Sequence, residues 1–295
     1  MEFFFQQLFN GLVIGAFLAL MTIGFSMTYG VIRLANFAHG DIGYMMGVYL
    51  AVTLYRSGLP IALSLLLSIL LSAGLGLLIV RIAYRPVFGA PGLVILLTTI
   101  GVSIFLENLS MLIWGAEMRP FPVTVFNPYF SIGPIRIFFL QVVVIILTAI
   151  VAGGLHLFIQ HTMIGKSMRA TAEDMEAARM MGIAVEKVVN VTFAIGTVLG
   201  SVAGILFAAY YNSIHPMMGF IPTLKAFCTA VLGGIGSLPG ALLGGMLMGI
   251  VEALGAGYID SGFRDGFVFL LLFIFLVFRP HGLFGKKQIR GIRYF

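Results

Sequence analysis

Residues 8–32 read LFNGLVIGAFLALMTIGFSMTYGVI, a run of 25 residues without one charged side chain. A helix of about 20 apolar residues is long enough to cross the hydrocarbon core of a bilayer, so this run predicts a membrane-spanning helix. Further apolar runs predict five more such helices, at residues 59–80, 93–114, 135–159, 188–211 and 266–278. This pattern is typical of an all-α protein that crosses the membrane several times.

The composition of the whole chain supports this interpretation. Of the 295 residues, 60% are hydrophobic and 9% are charged, and the mean hydropathy is +1.08. Soluble domains carry about 25% charged residues. A water-soluble fold of this length could not hide so much apolar surface, so we expect the chain to fold in lipid. That excludes a nucleic-acid-binding protein and a protein with a single membrane anchor.

Two further apolar regions are interrupted. Residues 41–55 are too few for a full crossing, and residues 223–257 contain the turn-forming sequence GGIGSLPG at positions 233–240. We expect shortened or broken helices in both regions. Backbone groups freed at membrane depth must then be buried in protein or line a wet cavity. The residues assigned to the break are Gly233, Gly234, Gly236 and Pro239.

Lysine and arginine residues indicate the orientation in the membrane. They occur at residues 81–85, at residues 166–187 and at the carboxyl end, where Lys286, Lys287, Arg290 and Arg293 follow the last apolar run. Cytoplasmic loops are enriched in these residues, so we place all three regions in the cytoplasm. An even number of crossings within residues 223–257 then gives about nine crossings. Two are short, with the amino terminus outside and the carboxyl terminus inside.

Many of the 37 glycines recur at a spacing of four residues. Small residues one helical turn apart let two helix backbones approach closely in lipid. We interpret the pattern as tight packing within the chain, with contact to a second membrane subunit as the alternative. The glycines concerned are Gly11 with Gly15, Gly43 with Gly47, Gly196 with Gly200 and Gly204, Gly240 with Gly244, and Gly245 with Gly249.

The longest cytoplasmic loop, residues 161–187, differs from the rest of the chain. Thr171 and Asp174 have the spacing of a capping box at a helix start, and Gly182 is suited to end a helix. The loop therefore predicts a short amphipathic helix with a stripe of small and methionine side chains. Its position on lipid headgroups is one alternative, but such helices favour Trp, Phe and Leu, so docking to a soluble partner is the better interpretation. The stripe consists of Ala172, Met175, Ala178 and Met181.

The chain carries no recognisable cofactor, metal or catalytic motif. Gly165-Lys166-Ser167 resembles the end of a phosphate-binding loop, but Gln160 stands where the first glycine is needed. Cys228 is the one cysteine, and the five histidines show no ligand spacing. We therefore expect a protein that is not an enzyme and binds neither a metal nor a nucleotide.

Polar residues near the first interruption are candidates for a translocation path or gate, because ionisable groups in membrane spans often mark a pathway. They are Asn36, His39 and Asp41, joined by Glu107 in the third uninterrupted span. The alternative for the first three, which the predicted topology favours, is a turn at the cytoplasmic surface. There Arg33 would pair with Asp41, and His39 would cap a helix. Glu107 either lines a path or pairs with a neighbouring helix.

Two other charged residues lie in the interrupted hairpin of residues 223–257. Lys225, at the start of its helix, is most simply a residue that extends its ammonium group to the membrane surface. Glu252 is expected to face the protein interior near the outer interface.

Several motifs carry a family resemblance. Glu176-Ala177-Ala178, followed after three residues by Gly182, resembles the EAA-x3-G core with which permeases of ATP-binding cassette (ABC) importers contact their ATPases. The Ile-x-Leu-Pro of the wider consensus is missing after Gly182. Four further stretches resemble the shorter of the two paralogous permeases of branched-chain amino acid importers. These are YGVIRLANFAHGDI at 29–42, AYRPV at 83–87, KAFCTAVLGGIGSLPGALLGG at 225–245 and RPHGLFG at 279–285.

The resemblance implies an ABC importer permease fold for residues 1–295, with an ATPase-coupling loop at about 161–187. It implies a multi-pass protein of the bacterial cytoplasmic (inner) membrane. A paralogous second permease, two ATPases that bind ATP and Mg²⁺, and a periplasmic binding protein would be its partners. The coupling residues carried over from the family are Glu173, Glu176, Ala177, Ala178 and Gly182.

The substrate remains open at this stage. Branched-chain amino acids are implied by the resemblance, while similar permeases carry other neutral amino acids, urea or short amides. A self-sufficient secondary transporter or channel for small neutral solutes is the alternative function, since the broken hairpin and the glycine content suit it equally. The coupling loop favours the importer, because a self-sufficient carrier has no need of an ATPase-docking helix.

Overall fold

The computed structural model of the chain describes residues 2–33, 35–122, 128–132, 135–279 and 282–284. The carboxyl-terminal basic residues that contribute to the predicted orientation, Lys286, Lys287, Arg290 and Arg293, lie outside the described residues. So do Pro280, His281 and Gly285 of the RPHGLFG motif.

Seven of the described helical stretches are long and apolar enough to cross a membrane, and the prediction of an all-α polytopic protein is confirmed. Their outer faces are rich in exposed leucine, isoleucine and phenylalanine, as expected for surfaces that contact lipid. The helices are α1 (Glu2–Ile32), α3 (Ile61–Ile79), α4 (Gly92–Trp114), α5 (Phe139–His161), α8 (Val185–Tyr211), α10 (Leu238–Tyr258) and α11 (Arg264–Phe278). One-turn helical segments extend α3 through Val87 and precede α11 at Ser261–Phe263.

Two shorter helices correspond to the two interrupted regions. A π-helical turn at Gly40–Met45 continues into α2 (Met46–Arg56), and α9 covers Phe220–Gly233. At 1.5 Å per residue the 14 residues of α9 span about 21 Å, less than the bilayer core. Both predicted interruptions are confirmed.

The break between α9 and α10 follows from its glycines. Gly234 and Gly236 have φ angles of 97° and 85°, in the left-handed region that side chains disfavour. Ser237 then caps α10 by accepting a hydrogen bond from the Gly240 amide at 3.2 Å, and Pro239 occupies the first turn, where a missing amide is harmless.

The predicted span at residues 135–159 begins too early. Ile135–Phe138 forms strand β2, which pairs antiparallel with β1 (Tyr129–Ile132), and α5 starts only at Phe139. The sequence IRIF alternates β-branched residues with others, a pattern that suits a strand. The Arg136 amide donates to the side chain of Gln6 at 2.9 Å, so the hairpin is tied to the start of α1.

The cytoplasmic loop contains two short helices where one was predicted. Helix α6 covers Met163–Glu173 and α7 covers Met175–Met180. The cap of α7 is Asp174 rather than Thr171, because the Asp174 carboxylate accepts from the amides of Glu176 and Ala177 at 2.9 and 3.0 Å. Gly182 ends the loop helix with φ 82°, as predicted.

Helices α1 and α10 pack antiparallel through glycine, and the prediction of tight intrachain packing is confirmed. A Cβ added at Gly249 would overlap the backbone of Gly15, and one added at Gly245 would overlap Ala19. Helix α8 likewise meets the π-helical turn, since a Cβ added at Gly204 would overlap Tyr44. These approaches leave most of α1 from Val13 to Thr28 buried at the centre of the molecule.

Replacement of Gly249 by alanine is expected to destabilise the chain by about 1–3 kcal/mol, because the added Cβ forces α1 and α10 apart. Reversible unfolding of the purified protein in mixed detergent and SDS micelles measures this. Gly101→Ala in α4 is the matched control, since a Cβ there meets no atom within 4 Å. It should be neutral or stabilise by up to about 1 kcal/mol. Equal effects of the two variants would contradict the packing described.

Candidate functional site

The break between α1 and α2 lies in the middle of the spans. Asp41 is fully buried and accepts a hydrogen bond of 2.5 Å from Ser103, halfway along α4. Its neighbour Gly43 packs on Thr197 and Gly200, halfway along α8. The residues after Arg33 therefore fold back from the end of α1 into the membrane.

The alternative interpretation, a turn at the cytoplasmic surface, predicted two contacts that are not found among the described residues. Arg33 is exposed and forms no ion pair with Asp41 in the described part of the chain. His39 precedes the π-helical turn but makes no capping hydrogen bond with its side chain. Its ring instead contacts Gly24 of α1 and is buried. The physical reason is Arg33 itself, whose φ of 56° turns the chain back along α1.

The amino-terminal ends of two short helices meet at this break. The Gly40 amide donates to the Thr223 hydroxyl at 2.8 Å, and that hydroxyl donates to the Gly219 carbonyl at 2.8 Å. The backbones at Gly40 and Gly219 are in contact. A Cβ added at either glycine would overlap the backbone at the other. Both helices direct the positive ends of their dipoles to this point, where the Asp41 side chain lies. Half-helix ends at membrane depth are typical of substrate and ion sites in transporters.

Three of the four predicted path residues come together here. The Asn36 side chain accepts from the Tyr84 hydroxyl at 2.7 Å and from the Ala38 amide at 3.2 Å. Asn36, His39 and Asp41 are all buried in one re-entrant segment. Glu107 lies one helical turn beyond Ser103 on the same face of α4 and is 9% exposed.

The predicted coupling residues lie on α6 and α7 and in the turn after α7. Glu173, Glu176 and Ala177 are exposed, whereas Ala178 is buried against the membrane domain. The small-residue stripe is therefore not wholly free for a partner, contrary to the prediction. At the end of α7 the apolar side chains of Met180 and Met181 are 88% and 82% exposed.

A cluster of four charges, two of them buried, escaped the sequence analysis. Lys225 lies 3.0 Å from Glu252 and 2.6 Å from Asp265, and Arg264 lies 2.6 Å from the second oxygen of Glu252. Lys225 is 8% exposed, so it is no surface anchor, and Glu252 is held by two cations. The cluster joins α9, α10 and α11. A signal was present, since Lys225 and Glu252 carry opposite charges on the two arms of one hairpin.

A cavity of about 280 Å³ adjoins this cluster. Its walls come from α1, the π-helical turn, α8, the segment before α9, and α9, α10 and α11. They are mostly aromatic, methionine and isoleucine side chains.

Comparison with known proteins identifies the family. Residues 7–277 match the family described as branched-chain amino acid transport system / permease component. The chain belongs to this family. The permease is 38% identical to the high-affinity branched-chain amino acid transport system permease protein BraD of Pseudomonas aeruginosa, over 98% of each chain. It is 36% identical to LivH of Escherichia coli K12, which has the same description, again over 98% of each.

One solved structure shares the fold of the permease. A chain of PsaBC from Streptococcus pneumoniae, determined in complex with Fab, matches with a TM-score of 0.50 at 11% sequence identity. The match covers 91% of the permease and 89% of the PsaBC chain.

Thr223→Val is expected to destabilise the permease by about 1–3 kcal/mol, because the buried Gly40 amide loses its acceptor. Thr229→Val is the matched control in the same helix, since the Thr229 hydroxyl bonds only to the Lys225 carbonyl one turn earlier. Both side chains are fully buried and the substitution is the same. Unfolding in mixed micelles should separate the two variants; equal stability would argue against the meeting of the two helix ends.

Proposed function

We propose that the permease is the membrane subunit of an ABC importer that moves branched-chain amino acids handed over by a periplasmic binding protein. A second permease completes the path, and two cytoplasmic ATPases, which bind ATP and Mg²⁺, drive it. The descriptions of BraD and LivH, with full-length similarity to both, support the substrate class. The permease then lies in the cytoplasmic membrane, and the loop of residues 161–187 faces the ATPases.

The observation that carries the proposal is a continuous line of contacts from the cytoplasmic loop to the mid-membrane break. Ala178 of α7 packs in one buried cluster with Tyr84 and Val185. The Tyr84 hydroxyl in turn bonds to Asn36 in the re-entrant segment. Movement of α7 would therefore reach the segment that holds Asp41 without passing through lipid.

Each coupling residue has a distinct part in this mechanism. Glu176 and Glu173 present negative charge to the ATPase, and Ala177 leaves room for its approach. Ala178 transmits the displacement to the membrane domain. Gly182 has no neighbour within 4 Å of an added Cβ, so its part is the left-handed backbone that ends the helix. Closure of the ATPases would shift α7 and, through Tyr84, the gate formed by Asn36, His39 and Asp41, beside Glu107.

A self-sufficient carrier or channel is the competing function. The break at mid-membrane depth suits it as well. The exposed Glu176 of α7, with Met180 and Met181 nearby, favours the importer, because a self-sufficient carrier has no need of an ATPase-docking helix.

Glu176→Arg is expected to abolish amino acid uptake while membrane insertion stays normal, because it reverses charge only at the docking surface. Like charges brought together at an interface cost several kcal/mol, so co-purification of the ATPases should fall by about tenfold or more. Uptake of radiolabelled leucine by cells and pull-down of a tagged permease measure the two effects. Glu117→Arg makes the same reversal on the opposite side of the membrane and should change neither. Normal uptake by Glu176→Arg would remove α7 from the coupling mechanism.

Tyr84→Phe tests the line of contacts separately. The ring stays in place but the hydrogen bond to Asn36 is lost, so ATPase binding should persist while leucine transported per ATP hydrolysed falls. Tyr29→Phe is the control, since its hydroxyl makes no hydrogen bond with any described residue. An unchanged ratio in Tyr84→Phe would show that coupling takes another route.

A further inference from the structure

The cavity beside the buried charge cluster has two chemically different ends. Lys225, Glu252, Arg264 and Asp265 all line one end. That end reaches the outer surface, since the Asp265 side chain is 51% exposed while that of Glu252 is 3% exposed. The volume of about 280 Å³ is at the lower limit for small-molecule pockets and fits a compact solute.

The charged end is electrically neutral as a whole. It holds two cations and two anions, and each cation already faces at least one carboxylate within 3.0 Å. A ligand with a single charge would leave one buried charge unbalanced, which is unfavourable in a low-dielectric site. A ligand that carries one charge of each sign can exchange partners with the cluster and keep it neutral.

The rest of the cavity lining is mostly apolar, although Tyr211 and His215 also contribute to it. Phe17, Met21, Phe207 and Met218 form its walls. Tyr44 also lines it, and the Tyr44 hydroxyl is buried without a hydrogen-bond partner among the described residues. Buried hydroxyls are normally paired, so this group is available to a ligand.

We propose that this cavity binds a neutral amino acid, with its ammonium and carboxylate groups at the charge cluster and its aliphatic side chain between the aromatic and methionine walls. In this arrangement Glu252 and Asp265 receive the ammonium group, while Lys225 and Arg264 receive the carboxylate. The Tyr44 hydroxyl supplies a further hydrogen bond to the head group. The inference rests on the proposed function and adds a binding site for its substrate within the membrane domain: zwitterions bind there, whereas urea and simple amides lack both charges and do not.

The test is direct binding of radiolabelled leucine to the complete importer, purified with its partner subunits and without the binding protein. Valine and isoleucine should compete with leucine. Leucinamide lacks the carboxylate, 4-methylpentanoate lacks the ammonium group, and urea lacks both. Each should compete at least about tenfold more weakly, a difference of about 1.4 kcal/mol.

Two variants connect this binding to the cavity. Tyr44→Phe removes only the unpaired hydroxyl and should weaken leucine binding severalfold. Tyr49→Phe is the control and should leave leucine binding unchanged, because Tyr49 is also buried but does not line the cavity. The double variant Lys225→Met with Glu252→Gln removes one charge of each sign, so Arg264 and Asp265 can still balance each other. Because half of the charged groups that would receive the ligand are gone, leucine binding should weaken by about tenfold or more, a loss of at least about 1.4 kcal/mol.

The outcomes separate the inference from the proposed function. An importer that takes up leucine with its binding protein, but binds none without it or binds it equally well in both cavity variants, would overturn the inference alone. Equal competition by urea or leucinamide would also overturn it. A correctly assembled importer that takes up no branched-chain amino acid would overturn the proposed function and the inference with it.

Discussion

This architecture depends on hydrogen-bond partners for the free amide groups of two helix ends inside the membrane. The hydrogen bond from the Gly40 amide to the Thr223 hydroxyl supplies one of them. Two helices begin at membrane depth, where no water is present to satisfy their free amide groups. Those groups must find partners inside the protein. The two helix ends therefore meet. Contact is possible only because positions 40 and 219 are both glycine. The Ser103 hydroxyl completes the arrangement by donating to Asp41.

The close helix packing around this point follows from the same constraint. Breaks in α-helices weaken a membrane protein unless the neighbouring spans are rigid, and here glycine contacts bring α10 and α8 against the buried α1. The two short helices α6 and α7 lie outside this rigid part. Ala178 of α7 and Tyr84 connect them to the re-entrant segment. A rigid core with one narrow connection is suited to transmit a displacement to a single place.

Much of this fold could be predicted from the sequence because lipid imposes simple rules. Long apolar runs predict membrane-spanning helices, and the sequence GGIGSLPG predicts a break between two helices. The predictions that were wrong depended on tertiary contacts. A hydrophobic run cannot show that Ile135–Phe138 pairs with a strand, nor that Asp174 rather than Thr171 caps α7. Arg33 and Asp41 are near in sequence, yet Arg33 is exposed, whereas Asp41 is buried and bonded to Ser103 halfway along α4.

The buried charge cluster was missed for a similar reason and raises a question of its own. Replacement of a buried ion pair by packed apolar side chains is often neutral or stabilising, so stability alone is a weak reason to keep four charges beside an apolar cavity. Lys225 and Glu252 are nearly inaccessible, whereas Asp265 is half exposed. The charges thus run from the surface of the molecule to the cavity. A neutral cluster lets a zwitterion reach this cavity without a net charge entering the membrane, which explains both its composition and its position.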